Sequence, residues 1–426
     1  SQALGLRAFA QWAQSETLDP KDLKRLKILS FLGLGLTLAT LIQAVISVST
    51  DLQTAWQLTL GAQFVLYLVT TGKVSPHYVA LITEAHKPLQ GLEGCFQLVE
   101  KQEFNSPWLK QWSKQLKHSG TPSERIKNIA RYAEALAVRH SALLYGVLAI
   151  GLLWELWYGT KVIEWRAQHG GLVSSDLKAI YEFEALCSFA EYAHDHPEFT
   201  WPQVSLDSPQ FIHTQGIAHP LFPPQGRVSN DFDLLSDQEF YLITGSNMSG
   251  KSSFMRALAS NITLALAGAP VCANQLICPP CSLATSIQVT DDPSRGWSRF
   301  YAEVRRISEV IKRAESASKQ RPVLYLIDEM LSGTNSRERR LASRSIAARL
   351  IHASHAAGII TTHDLDLAQL SKRFPHELKL AHFSDRFDGD KLHFDYTLRS
   401  GVAQTTNALH VLSLEGIEVD ETLSEL

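Results

Sequence analysis

Gly245-Ser-Asn-Met-Ser-Gly-Lys-Ser252 sets two glycines, a lysine and a closing hydroxyl at the spacing G-x-x-x-x-G-K-[ST]. Such a loop can turn its backbone N–H groups inward around an anion, because glycine tolerates the backbone angles this needs. The lysine then suits the β- and γ-phosphates of a nucleotide, and the hydroxyl suits a magnesium ion. The residues expected at the phosphates are Gly245, Ser246, Asn247, Met248, Ser249, Gly250, Lys251, Ser252 and Ser253, with Ser252 also a magnesium ligand.

Three more groups have types and positions that fit the same chemistry. The apolar run Val323-Leu-Tyr-Leu-Ile ends in Asp328-Glu329. An acid at such a strand end can hold magnesium, and the next can accept a proton from an attacking water, so Asp328 is the expected metal ligand and Glu329 the expected general base. Thr361-Thr362-His363-Asp364 follows another apolar run and places His363 where it can hydrogen-bond a γ-phosphate. Ser298-Arg-Phe-Tyr-Ala-Glu303 reads as a helix start with Ser298 as N-cap; a hydroxyl and free N–H groups there can grip a phosphate.

These groups need rigid elements behind them. Phe240 to Thr244, Val323 to Ile327 and Gly358 to Thr362 are short apolar runs of the kind buried in a mostly parallel sheet. Helices after Gly250 and from about Arg337 to Ala357 would supply the crossovers. Residues 206–426 are therefore expected to form an α/β P-loop domain. Residues 81–205 read as a helical core. In Ser123 to His140, Ile126, Ile129, Ala130, Ala133, Leu136 and Ala137 mark one buried stripe. There Ser123 is the expected N-cap, and Arg125, Lys127, Arg131 and Arg139 the expected solvated face. A second long helix is expected over Asp176 to His194, and a Pro-punctuated stretch from Pro197 to Pro209 closes the region.

Residues 1–80 are expected to form a helical hairpin. Ile28 to Thr50 and Leu52 to Gly72 carry no charge, and each exceeds the about 20 residues that cross a bilayer as a helix. Lys21, Lys24, Arg25 and Lys27 precede the first run and Lys73 follows the second, which predicts a membrane hairpin over 28–72 with both ends cytoplasmic. The competing reading is a pair of long buried helices, favoured by Gln43, Gln53, Gln57 and Gln63. His140 to Trp154 is shorter and reads as a core helix. The chain opens on Ser1, as a fragment or processed product would.

With 45% apolar and 19% charged residues the chain is a folding one, and a net charge of −3 excludes a generally basic nucleic-acid coat. Five cysteines, odd in number and scattered, suit a reducing cytosol. Cys278 and Cys281 stand at metal-ligand spacing, but no second pair completes a zinc site.

Taken in order, GSNMSGKSS, SRFYAE, IDEMLSGTNSRE and TTHDLDLAQL resemble the phosphate loop, signature segment, magnesium-site strand and histidine switch of the MutS mismatch-repair family. His219-Pro220, Asn230 and Asp291-Asp292 also fall where that family has similar residues. The resemblance covers about 186–418 and implies an ABC-type ATPase using ATP and Mg²⁺. It further implies a homodimer in which Ser298 acts on the partner's nucleotide, with DNA as ligand. Departures are Ser246 and Ser249 in place of Pro and Gly, Asn407-Ala408 in place of Tyr-Gly, and a hairpin over 28–72 with no mismatch-reading domain ahead of the helical core. That pattern is closer to a MutS-like branch with membrane-spanning segments.

Two functions stay open on this sequence. One is a dimeric, cytoplasmic sensor of mismatched or irregular DNA, with Lys110, Lys114, Lys117, Arg125, Lys127 and Arg131 as candidate backbone contacts. The other is an ABC-type motor anchored at the cytoplasmic face of the inner membrane and acting on a protein partner.

Overall fold

The computed structural model describes residues 2–15, 19–47, 55–70, 76–138, 142–246, 248–288, 297–331, 335–388 and 391–403. Asn247, Asp291-Asp292, Asn407-Ala408 and the loop 332–334 lie outside the described residues. The chain divides into two compact units, Ser1–Leu186 and Cys187–Leu426.

The first unit is all helix: α1 (Gln2–Gln14), α2 (Pro20–Ser47), α3 (Ala55–Thr70), α4 (Pro76–Lys101), α5 (Pro107–Lys117), α6 (Pro122–Ala137), α7 (Ala142–Leu152) and most of α8 (Trp154–Asp195). The stripe read from the sequence is the buried face of α6: Ile126, Ile129, Ala133 and Leu136 pack with Phe9, Ile82, Leu89, Phe96 and Trp165. Four details differ from the sequence reading. Thr121, not Ser123, is the N-cap of α6, with Pro122 at the first helical position, where a missing N–H costs nothing. Ser123 is instead buried, its backbone N–H donating to Glu100 Oε1 at 2.9 Å. Arg125 is not on the solvated face: it is 6% exposed, and its Nη2 donates to both carboxylate oxygens of Asp176 at 2.7 and 2.9 Å. A charge enters a core only with such a partner. Finally, Asp176 to His194 is not a separate helix but the last part of the 42-residue α8.

The second unit holds β1 (Gln203–Val204), β2 (Ile212–Ile217), β3 (Asn230–Leu234), β4 (Phe240–Thr244), α9 (Lys251–Ala267), β5 (Gln275–Cys278), β6 (Ser282–Ser286), α10 (Arg299–Glu315), β7 (Val323–Asp328), α11 (Ser336–Ile351), β8 (Ala356–Thr362), β9 (Leu378–Asp388) and β10 (Lys391–Ser400). The main sheet runs β10-β9-β4-β8-β7-β6, parallel except for β10 on β9. A smaller sheet runs β1-β5-β2-β3. The helix expected to reach Ala357 ends at Ile351, and β8 begins at Ala356, so the crossover is shorter than its apolar pattern suggested.

Alternation along the strands sorts side chains onto two faces. Ile243, Leu324, Leu326, Ile359 and Phe383 pack against α9 through Phe254, Met255, Leu258 and Ile262, together with the small sheet. Leu242, Tyr325, Ile327 and Ile360 pack against α10 and α11 through Ile307, Val310, Ile311, Ala347 and Leu350. The result is a helix–sheet–helix sandwich. Registers Thr244↔Thr362 and Asp328↔Thr361 end β4, β8 and β7 at one level, so the loops after them open on the same edge. In such sheets ligands bind outside the carboxyl ends of the strands.

Candidate functional site

Gly245 leaves β4 with φ +150°, and a Cβ there would lie 2.7 Å from Phe383 O and 2.8 Å from Ser249 Oγ. Only glycine fits that turn. The loop then enters α9 at Gly250, which is left-handed at φ +112°, and the first N–H groups of a helix have no partner within it. Lys251 is 4% exposed, its Nζ donating to Gly245 O at 2.9 Å and Ser246 O at 2.7 Å. Burial lowers its pKa, while Glu329, Asp328 and Asp385 pull the other way. Ser249 is fully buried, and its Oγ finds no partner among the described residues. Ser246 Oγ donates to Asp385 Oδ2 at 2.9 Å. Asp385 lies far along the sequence on β9 and carried no motif, so the sequence reading missed it. Ser252 and Ser253 are half-buried at the start of α9, and Met248 is exposed.

On the neighbouring strands Thr361 organises the acids. Its hydroxyl donates to Asp328 Oδ1 at 2.6 Å and accepts the backbone N–H of Glu329 at 3.2 Å. The chain then makes a strained turn: Glu329 has φ +47° and Leu331 φ +58°, each costing about 1–2 kcal/mol for a residue with a Cβ. The turn is held by Glu303 of α10, 5% exposed, whose Oε1 accepts the Leu331 N–H. Glu329 Oε1 meets His363 Nε2 at 2.5 Å. That hydrogen bond is the main reason the Glu329 pKa lies below its ordinary value; burial opposes it, and the charges of His363, Lys251 and Arg299 assist.

Lys251, Asp328, Glu329 and His363, far apart in sequence, are thus brought together at the carboxyl ends of β4, β7 and β8. Ser298 is placed differently. It is the N-cap of α10, its Oγ accepting the Tyr301 N–H at 3.3 Å, and it is exposed rather than packed into this cluster. Its neighbour Arg299, which the sequence reading passed over, is close enough to Glu329 to act on its charge.

Beside the loop lies a cavity of about 450 Å³, lined by His219, Phe222, Val228, Asn230, Met248, Gly250, Ser253 and Tyr396 among others. The His219 and Phe222 rings stack at 4.5 Å. Burial and, less strongly, Arg256 lower the His219 pKa, which favours a neutral ring. Asn230 ties the wall together, donating to Tyr396 O at 3.0 Å and accepting from Leu398 N–H at 2.6 Å. A flat heterocycle next to an anion-binding loop fits this space. Phe222 and Tyr396 could not be found from motifs, because the fold alone brings β10 and the segment between β2 and β3 beside the loop.

These residues fit a nucleotide with magnesium: a loop whose glycine excludes a Cβ, a buried cation bonded to loop carbonyls, a buried hydroxyl with no partner among the described residues, and an acid positioned beside them.

Residues 241–421 match the family model for MutS domain V. The chain is 30% identical over 300 residues to DNA mismatch repair protein MutS 2 of Halobacterium salinarum, covering 69% of this chain and 33% of that protein. It is 27% identical over 248 residues to DNA mismatch repair protein MutS of Natronomonas pharaonis, covering 58% of this chain and 28% of that protein. The chain therefore spans about a third of the length of the curated relatives it matches.

Proposed function

We propose, from the premise that this chain belongs to the MutS family through its domain V, that it is an ATPase that couples ATP turnover to binding of mismatched or irregular DNA. The observation carrying this reading is the convergence of Lys251, Asp328, Glu329 and His363 on one sheet edge beside a base-sized cavity.

In the proposed reaction, the cavity under His219 and Phe222 holds the base and the loop holds the phosphates. Lys251 must leave the Gly245 and Ser246 carbonyls to reach a γ-phosphate, so an anion has to compete for it. Ser252 and Asp328 would hold Mg²⁺, which when bound neutralises phosphate charge. Glu329, kept ionised by His363, accepts a proton from the attacking water. His363 reports the γ-phosphate through that same carboxylate. Ser298, exposed at the start of α10, completes the site of the partner in a homodimer. Lys110, Lys114, Lys117 and Arg131 are exposed and remain candidate phosphate contacts, with Lys127 half-exposed; Arg125, bound to Asp176, is withdrawn.

Steady-state ATP hydrolysis tests the reading, measured alone and with matched, mismatched and branched DNA at two salt concentrations. Stimulation that is strongest with irregular duplex and falls with salt is the expected result. Hydrolysis indifferent to every DNA overturns the DNA part. It would favour the second reading, a membrane-anchored motor acting on a protein partner, for which the exposed apolar faces of α2 and α3 would supply the anchor.

A further inference from the structure

We propose that α2, α3 and the end of α7 form a three-helix element inserted in a lipid bilayer, entering from the side of the α2 N-terminus. This deepens the membrane reading and does not depend on what the ATPase site binds.

The element is built inside out. Val45 is 72% exposed, Leu58 76% and Leu38 61%, while Gln63 is 1%, Ser30 5% and Thr70 5% exposed. Only 11% of the most apolar stretch of α2 is buried, whereas the long core helix offered by the sequence as an alternative would be mostly buried.

The inward polar groups bond one helix to another. Gln63 Nε2 of α3 donates to Thr37 Oγ1 of α2 and to the carbonyls of Ile150 and Gly151 of α7, each at 3.2 Å. Thr37 Oγ1 also donates to Gly151 O. Thr59 of α3 donates to Gln43 of α2 at 2.9 Å. A small residue lets the α7 end approach, for Leu153 sits where a Cβ on Gly33 would be. Polar groups and small residues between helices, with apolar side chains outward, are what packing in lipid selects. In water the same surface would be left against solvent.

Dimensions and edges agree. The uncharged part of α2, from Ile28 to Ser47, is about 30 Å long at 1.5 Å per residue, the thickness of a hydrocarbon core. Its lower end meets a belt of aromatic and cationic side chains from the start of α8. Phe31 packs edge-on to Trp157 at 5.4 Å, Lys27 pairs with Glu164 at 2.6 Å, and the Lys161 ammonium lies over Trp157 at 5.0 Å. Lys21, Lys24 and Arg25 lie beyond it, suiting a cytoplasmic, anionic leaflet. A protein partner would need a matched face; apolar residues along the outward side of both helices need only lipid.

The test is flotation of the full chain with phosphatidylethanolamine–phosphatidylglycerol vesicles, together with alkaline carbonate extraction of membranes from expressing cells. The wild type is expected to float and to resist carbonate. The double variant Leu38→Glu, Leu68→Glu, changed at exposed positions, should lose vesicle partitioning by about a hundredfold while keeping its ATP turnover. A wild type released by carbonate overturns the proposal. So does a detergent-free, monodisperse dimer in sedimentation that fails to float with the vesicles, which would show a second copy covering these faces.

Discussion

Glu329 Oε1 lies 2.5 Å from His363 Nε2, joining the residue after β7 to the residue after β8. The contact sets the charge of the proposed base. With Nε2 donating, it favours the carboxylate and holds the Glu329 pKa below the ordinary value of 4.5. Hydrolysis that needs this carboxylate then survives as pH falls through 4.5 and fails only below the depressed pKa. His363→Ala removes the largest cause of the depression and leaves burial, which acts upward. The acid limb of the kcat–pH profile should move to higher pH, and an unmoved limb would dissociate His363 from Glu329. In Glu329→Gln, turnover should fall at least about a hundredfold with ATP retained in the site, as read by filter binding.

Glu303 offers a second, separable test. Its carboxylate holds the Leu331 N–H and with it the left-handed turn that aims Glu329. Glu303→Ala should lower kcat about tenfold or more while nucleotide affinity stays within about twofold, because the phosphate loop is untouched. Glu303→Gln keeps an acceptor oxygen and should recover most of the loss. Equal effects of both variants on ATP affinity would contradict a role confined to the turn.

The Arg125–Asp176 pair should matter for stability alone. Asp176→Ala leaves a buried guanidinium uncompensated and should cost the helical unit about 3–5 kcal/mol in chemical denaturation. The double variant Arg125→Met, Asp176→Leu should regain much of it. Salt-dependent DNA binding should be unchanged in that double variant and weakened in Lys110→Glu, Lys114→Glu.

Gly358 on β8 is the register partner of Tyr325 on β7. A Cβ there would stand 2.0 Å from Tyr325 O and 2.4 Å from its ring. Gly358→Ala should therefore destabilise the second unit by about 3 kcal/mol or prevent folding, as judged by thermal melting. Gly91→Ala, in a helix with open space around that position, should be neutral or stabilising by up to about 1 kcal/mol.

What could be read from the chain follows the range of the interactions that decide it. The loop from Gly245 to Ser252 was legible with its strand and helix because turn angles, glycine spacing and a helix start are local. Asp328 and His363 were legible for a similar reason: each ends an apolar run that can only be a buried strand. Ser298 as N-cap of α10 depends on its own helix and was also found. Ser123 was misplaced as a cap because Pro122 had already fixed the first helical position, leaving Thr121 before it.

The sequence by itself determined most of the elements, the candidate residues at their ends and the family the chain belongs to. Only the tertiary structure decided the strand order that lines up Lys251, Asp328, Glu329 and His363, the support from Asp385 and Glu303, and the cavity walls at Phe222 and Tyr396. It also decided that Arg125 is buried and that Gln63 faces inward while Leu38 and Val45 face out. For these side chains the choice is between an exposed and a buried place in the fold. Burial and partner are properties of segments distant along the chain, so no window of neighbouring residues contains them.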